Sequence, residues 1–201
     1  YACCKSRKHL LILLVSKGAK INTVDNKGRS PIYFAAKYGN QEALDYLLSK
    51  KILPTIGDNR RKTPLHAACE TGKIFIIKKL MSYENNSYDN IRDINGDTPL
   101  HYAVRENQTK VIDFFLSLNK PSLIYEQNRN GESPLTIAAS LNQRATVNLF
   151  IEKVGSFRPC ESFNALKGVA KSNNIEYIKY LISKGLIVNV RQRNLSIIDY
   201  A

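Results

Sequence analysis

A Ser-Pro or Thr-Pro dipeptide returns through the chain at a nearly constant interval, and this period constrains the fold more than any other feature. The dipeptides begin at Ser30, Thr63, Thr98 and Ser133, at spacings of 33, 35 and 35 residues. An alanine follows each of them at the same distance: Ala35, Ala68, Ala103 and Ala138. A fixed period of this length indicates stacked copies of one supersecondary unit.

Each part of the repeated pattern has a physical reason. A Ser or Thr hydroxyl before Pro caps the free N–H groups of a helix start, where the missing N–H of Pro is not needed. Nine places after each cap stands a Gly or Asn, which tolerates the left-handed conformation that ends a short helix. A polar stretch before each cap, such as Asp25 to Gly28, predicts a hairpin turn. The repeated unit is therefore a hairpin turn followed by two short helices.

The motif after each cap carries a family resemblance. Thr63-Pro-Leu-His-Ala-Ala68 and Thr98-Pro-Leu-His-Tyr-Ala103 match the T-P-L-H-x-A signature, and Ser30 to Ala35 and Ser133 to Ala138 match it in part. Over essentially its whole length, the sequence resembles the ankyrin repeat family. That resemblance implies an all-α solenoid of stacked helix pairs with projecting hairpin loops.

The period divides residues 1–201 into one array. It comprises a partial repeat at 1–24, repeats at about 25–57, 58–92, 93–127, 128–158 and 159–190, and a partial repeat at 191–201. Both end repeats are interrupted, which predicts a longer parent protein.

Two loops depart from the repeated pattern. A two-residue expansion lies in 82–92. Residues 154–164 carry no usual hairpin turn, and Asn164-Ala165 replaces the cap and proline. We interpret both loops as idiosyncratic, with a functional role as the alternative.

No catalytic or metal-binding pattern is evident. The resemblance implies that His66 and His101 hydrogen-bond the cap hydroxyl and link neighbouring repeats. Cysteines at positions 3, 4, 69 and 160 form no CxxC pair and have no histidine at ligand spacing. No nucleotide-binding loop or nucleophile–base set can be assembled. The sequence predicts a non-enzymatic chain with no cofactor and no metal.

Charge suggests the kind of partner. The formal net charge is +13, and residues 1–82 hold 16 basic and 5 acidic side chains. Such an excess favours an acidic partner.

The longest apolar run, Leu10 to Val15, is far shorter than the roughly 20 residues that a membrane-spanning helix needs. We therefore expect no membrane-spanning segment, and we interpret the four cysteines as reduced, mostly packed thiols of an intracellular protein.

The resemblance also implies a contact surface, formed by hairpin tips and exposed positions of each first helix. The candidate partner-binding residues are Lys27, Arg29, Lys37, Tyr38, Arg60, Lys62, Glu70, Arg105 and Glu106. Five of these are cations at equivalent positions of two neighbouring repeats. A merely solvated charged face is the alternative interpretation.

These observations predict a monomeric protein-binding module whose concave face takes a protein with an acidic or mixed-charge surface. The abundance of Lys, Asn and Ile is similar to that of ankyrin proteins from intracellular bacteria or viruses, which points to an effector acting in a host cytoplasm. Two alternatives stay open. One is binding of nucleic acid or an anionic membrane surface through the basic N-terminal repeats. The other is a targeting arm of an enzyme whose catalytic domain lies outside this chain.

Overall fold

The fold is an all-α repeat, as expected. The computed structural model describes residues 3, 8–83, 90–170, 174–188, 191–192 and 195–196. The elements are α1 (Lys8–Ser16), α2 (Pro31–Tyr38), α3 (Gln41–Ser49), α4 (Pro64–Glu70), α5 (Ile74–Tyr83), α6 (Pro99–Arg105), α7 (Thr109–Ser117), a 3-10 helix (Pro121–Tyr125), α8 (Pro134–Ser140), α9 (Arg144–Val154), α10 (Pro159–Ala170), α11 (Ile175–Ser183), β1 (Arg191–Gln192) and β2 (Leu195–Ser196). The chain divides into two compact units, residues 1–111 and 112–201.

The predicted helix caps are confirmed. Helices α2, α4, α6 and α8 each begin at the proline that follows Ser30, Thr63, Thr98 or Ser133. All four cap residues have extended backbone, and the Ser30 Oγ accepts a hydrogen bond from the Tyr33 N–H at 3.3 Å. The Ser/Thr-Pro dipeptide thus fixes where each first helix starts.

In the unit of residues 1–111, first helices stack on first helices. Helix α2 packs on α4 and α4 on α6, while α3 contacts both α1 and α5 in a second layer. The repeated alanines Ala35, Ala68 and Ala103 are fully buried and allow the first helices to approach closely. Leu44 and Ile77 of the second helices are also fully buried, each contributing about 2 kcal/mol of hydrophobic stabilisation.

In the unit of residues 112–201, α8 packs against α9, α10 and the 3-10 helix. The approach of α10 to α8 depends on Gly168, because a Cβ there would lie 2.5 Å from the Cβ of Ser140. Strands β1 and β2 pair antiparallel, with Arg191 opposite Ser196.

The structure corrects one expectation at the fifth repeat. Helix α10 begins at Pro159, so Asn164 and Ala165 lie inside the helix and not at its start. Pro159 suits the first helical turn, and no proline follows Asn164 to mark a start there. The expected lack of a usual hairpin turn is confirmed, because only four residues lie between Val154, the end of α9, and Pro159, the start of α10. Of the Asn-rich loop, residues 84–89 lie outside the described residues.

Candidate binding surface

The hairpin–helix surface comprises the turns at residues 25–28, 58–61 and 93–96 together with α2, α4 and α6, all in the unit of residues 1–111. Each turn is closed by its aspartate in the same way. In the second turn, the Asp58 N–H donates to the Lys62 carbonyl at 3.0 Å, and the Asp58 Oδ1 accepts from the N–H groups of Arg60 and Lys62, both at 2.9 Å. The carboxylate therefore holds the turn from inside.

Neighbouring turns are joined through their backbones. The Asn59 N–H donates to the Lys27 carbonyl, and the Ile94 N–H donates to the Arg60 carbonyl, each at 2.9 Å. These bonds align successive turns. As a result, the side chains of Lys27 and Arg60 project from adjacent, fixed positions.

One carboxylate is shared by two lysines on this surface. Glu70 lies 2.6 Å from the Lys62 Nζ and 3.7 Å from the Lys37 Nζ, and all three side chains are partly buried. The Lys62 ammonium also lies 4.4 Å from the centre of the Tyr102 ring, a distance suited to a cation–π contact. Three of the predicted contact residues thus form one ionic cluster.

Two other predicted cations are also paired within the unit. The Arg29 guanidinium lies 2.6 Å from the Asp25 carboxylate and 4.9 Å from the centre of the Phe34 ring. Hydrogen bonds from the Arg29 guanidinium to the Asp25 carboxylate hold the pKa of Asp25 below its usual value. Arg105 contacts both carboxylate oxygens of Asp97, at 2.5 and 3.0 Å. The Arg29 and Asp25 side chains are partly exposed, so their pairing positions them more than it adds stability. The Asp97 side chain is buried, and Arg105 compensates the charge that Asp97 carries into the interior.

The remaining predicted residues are exposed. They are Lys27, Tyr38, Arg60 and Glu106. Within the described part of the chain, neither Lys27 nor Arg60 forms an ion pair. Tyr38 is 52% exposed and stacks on Phe34 with ring centres 6.4 Å apart. The structure therefore separates the predicted set into a paired group and an exposed group.

Sequence reasoning missed Arg61, which is exposed at the same turn as Arg60. Its φ of 59° is left-handed, at the turn position that Gly28 and Gly96 occupy in the neighbouring turns. Such a conformation costs an ordinary residue roughly 1–2 kcal/mol. An alignment of the turns could have identified Arg61, because a cation stands there at the position that glycine occupies in the neighbouring turns.

His66 has the structural role that was predicted for it. Its Nδ1 lies 3.1 Å from the Thr63 backbone nitrogen and 3.0 Å from the Thr63 hydroxyl, and its Nε2 lies 3.0 Å from the Asp97 carbonyl of the next repeat. Burial lowers the pKa of His66 to about 4, which keeps the ring neutral near pH 7. His101 makes the same two contacts with Thr98, at 3.1 and 2.7 Å.

The cysteine at position 69 is fully buried, and burial raises the pKa of the Cys69 thiol. In the described ranges, no group of three His, Cys, Asp or Glu side chains is arranged to hold a metal ion. Nor is any helix in those ranges long and apolar enough to cross a membrane.

Comparison with known proteins agrees with the geometry. The chain is 35% identical over 83 residues to an ankyrin repeat protein of Rickettsia bellii (strain RML369-C), 27% over 98 residues to the tyrosine-protein kinase HTK16 of Hydra vulgaris, and 42% over 48 residues to a transient receptor potential cation channel subfamily A member 1 homolog of Caenorhabditis elegans. These matches cover 38%, 48% and 24% of this chain, but only 12%, 13% and 4% of the respective relatives.

The family profile described as Ankyrin repeats (3 copies) matches residues 1–58 and 53–123, which is more than half of the chain. This match covers the three turns and three first helices of the hairpin–helix surface. Its span also includes the inter-repeat bond of His66. The chain belongs to the ankyrin repeat family.

Proposed function

We propose that this chain is a protein-binding module that takes an acidic or mixed-charge partner on the hairpin–helix surface. Ankyrin repeats are generally protein–protein interaction modules, and this surface has the features that such contact needs. The observation that carries the proposal is the pair of exposed cations Lys27 and Arg60, which the Asn59 to Lys27 backbone bond holds on adjacent turns. Cations grouped in this way speed encounter with an acidic surface.

The residues around these cations favour a defined interface. Tyr38 offers an exposed aromatic ring, a residue type that often anchors protein interfaces. Beside it, the Lys37, Glu70 and Lys62 cluster and the Arg29 to Asp25 pair hold their side chains in place before any partner binds. Fixed side chains lose less entropy on binding, so they support affinity without adding net charge.

The decisive experiment reverses the exposed cations. We expect the Lys27→Glu/Arg60→Glu double variant to bind a partner recovered by cross-linking from eukaryotic cytosol at least about tenfold more weakly, measured by titration calorimetry. Helix content should not change. Reversing Arg29 or Lys62 is a poorer test, because a new carboxylate would then face Asp25 or Glu70 and destabilise the fold.

The matched control is Lys78→Glu/Lys110→Glu, which makes the same charge change at exposed positions of α5 and α7. Its effect on binding should be less than about threefold, since second helices lie outside the hairpin–helix surface. A larger effect of the control pair than of the Lys27 and Arg60 pair would contradict the proposal.

Nucleic-acid or anionic-membrane binding is the competing proposal, and its motivation is the N-terminal charge. Pairing of Arg29, Lys37 and Lys62 with acids within the unit leaves fewer cations for phosphates. Nucleic-acid binding would weaken steeply as salt rises, because each neutralised phosphate releases counterions. Binding to a duplex DNA probe or to anionic vesicles that exceeds binding to the protein partner would favour this alternative.

The role of the whole protein is also a proposal. We propose an intracellular, monomeric effector acting in a host cytoplasm, since a relative comes from Rickettsia bellii. The alternative, a targeting arm of an enzyme, draws support from a relative that is a tyrosine-protein kinase. Light scattering tests the monomer, and fractionation of host cells that contain the protein tests the location. Coding sequence beyond residues 1–201 would show whether a catalytic domain is attached.

A further inference from the structure

The fourth turn, Asn128–Gly131, lacks the neighbouring turn that follows the first and second turns. In those turns, the carbonyls of Lys27 and Arg60 accept an N–H from the next turn. Asn130 holds the equivalent place in the fourth turn. Within the described residues, no group donates a hydrogen bond to the carbonyl of Asn130 or of Arg129, and both residues are exposed.

A helix takes the place of the missing turn. Only residues 155–158 separate α9 from α10, which is too short a connection for another hairpin. Instead, Asn164 of α10 donates its Nδ2 to the Gly131 carbonyl at 2.5 Å. The Asn164 side chain therefore replaces part of the hydrogen bonding that the next turn provides to the first and second turns.

The space beside the fourth turn is correspondingly open. A Cβ at Gly28 would lie 2.3 Å from the Asn59 Oδ1, whereas a Cβ at Gly131 would meet only the Asn164 Nδ2, at 3.4 Å. A cavity of about 580 Å³ opens here, lined by Asn130, Glu132, Thr136, Ile137, Ser140, Asn164, Lys167 and Gly168. That volume lies in the range of sites that bind small ligands or a few side chains. We call this cavity and the adjoining carbonyls of residues 129 and 130 the fourth-turn slot.

We propose that the fourth-turn slot binds an asparagine-containing turn or extended segment of a partner protein. The backbone N–H of that asparagine donates to the Asn130 carbonyl, and its side-chain amide donates to the Arg129 carbonyl. Asn59 shows both bonds within this chain, donating its N–H to Lys27 at 2.9 Å and its Nδ2 to Asn26 at 3.3 Å. Addition of a segment to an unpaired backbone edge is a general mode of peptide recognition.

The walls of the slot define the flanking chemistry. Glu132 and Lys167 both line the cavity with charges of opposite sign. Because the two walls carry opposite charges, a segment with one acidic and one basic residue beside the asparagine matches the cavity in charge, as Asp58-Asn59-Arg60 of the second turn does. Ser140 lines the cavity with a short side chain, whereas the equivalent first-helix positions hold the longer Lys37, Glu70 and Arg105.

The probe is a synthetic peptide with the sequence of residues 56–64, added to the ¹⁵N-labelled full chain and followed by amide chemical shifts. We expect shifts that cluster at residues 129–132 and 164–168. A peptide with alanine in place of Asn59 should bind at least about fivefold more weakly, since it lacks the side-chain donor. A peptide N-methylated at Asn59 lacks the backbone donor and should weaken by a similar factor.

Two variants of the protein test the cavity. Lys167→Trp places a large side chain into the slot from the exposed side of α10 and should weaken the peptide by at least about tenfold. Lys179→Trp, at an exposed position of α11, is the matched control and should bind as the parent does. Equal affinity of Lys167→Trp and Lys179→Trp, or of the asparagine and alanine peptides, would overturn the proposal.

The remaining outcomes are also decisive. Absence of shifts at millimolar peptide, or shifts centred on the turns at 25–28 and 58–61, would overturn it. Concentration-dependent growth in mass without peptide, with shifts at residues 129–132, would show that a second copy of the chain occupies the slot and would overturn the assignment to a partner protein. The slot lies in the unit of residues 112–201, so this test can fail while the Lys27 and Arg60 test succeeds, and the reverse.

Discussion

A helix cap is tied to the following repeat by a basic side chain in one unit and by an acidic side chain in the other. In the unit of residues 1–111, His66 contacts its own cap residue Thr63 and reaches the Asp97 carbonyl at 3.0 Å. In the unit of residues 112–201, Glu161 comes from the following repeat and accepts a hydrogen bond from the cap hydroxyl of Ser133. The capping hydroxyl is the shared element, and the linking group can come from either side of the junction.

The two junctions should respond to pH in opposite directions. Burial lowers the pKa of His66 to about 4 from 6.5, so its contribution to stability is present above pH 6.5 and is lost as the pH falls towards 4. Burial raises the pKa of Glu161 above its usual value of 4.5, although hydrogen bonds from Ser133 and Gln127 act against this rise. The contribution of Glu161 is therefore present below pH 4.5 and is lost as the pH rises through the raised pKa.

The largest expected effect is removal of the histidine junction. His66→Ala should lower the free energy of unfolding by about 4 kcal/mol, because it opens a cavity, leaves the Thr63 N–H unpaired and removes one of the donors to the Asp97 carbonyl. Urea denaturation followed by circular dichroism measures the loss. His9→Ala, at an exposed position of α1, is the matched control and should change stability by no more than about 0.5 kcal/mol. Similar losses of stability for the two variants would contradict the stabilising role of His66 at this junction.

The next effect is the pH dependence of the parent chain. Between pH 7 and pH 4, protonation of His66 in the unfolded state should cost about 3 kcal/mol of stability. His66→Gln cannot titrate, so the free-energy gap between it and the parent should narrow as the pH falls. A gap that stays constant from pH 7 to pH 4 would contradict the lowered pKa.

A third prediction compares the two cap hydroxyls. Ser133→Ala should cost about 2 kcal/mol, because it removes both the helix cap and a donor to the buried Glu161 carboxyl. Thr63→Ala should cost about 1 kcal/mol, the usual value of a cap. Thermal and urea unfolding of both variants at pH 7 gives the order. The reverse order would mean that Glu161 depends little on Ser133.

The smallest expected effect is that of Glu161→Gln. Below pH 4.5 the carboxyl is protonated and similar in shape to the amide, so the variant and the parent should differ by no more than about 0.5 kcal/mol. As the pH rises, the parent should lose stability relative to the variant, because ionisation of a buried carboxyl is unfavourable. Unfolding titrations from pH 4 to pH 8 measure this trend, and a parent that gains on the variant over this range would reverse the assigned sign.

The same two regions show what a repeat sequence can predict. Where Ser30, Thr63, Thr98 or Ser133 precedes a proline, the helix begins as expected. The alignment failed at Asn164, because the period predicts equivalent positions but cannot show that an earlier proline, Pro159, starts a longer helix. A local signal therefore overrode the period where the motif was weakest.

Some features of the hairpin–helix surface could likewise be predicted from the sequence, and others could not. The position of Lys27 and Arg60 at turn tips could be predicted from the turn residues alone. Pairing of Arg29 with Asp25 could also be predicted, because the two residues lie four positions apart across a tight turn. The contact between Lys62 and Glu70 joins residues eight positions apart at the two ends of one short helix, and the link from Ser133 to Glu161 spans 28 residues. The second contact depends on the stacking of repeats, which local sequence patterns do not specify.

The carboxylate of Glu70, shared between Lys37 and Lys62, gives the hairpin–helix surface an unequal tolerance to genetic change. Loss of either lysine by mutation, or of its charge by acetylation, leaves Glu70 with one cation. Loss of Glu70 instead leaves two like charges facing each other. Loss of the charge of one lysine is therefore better tolerated than loss of the glutamate, which a second, compensating substitution would have to offset.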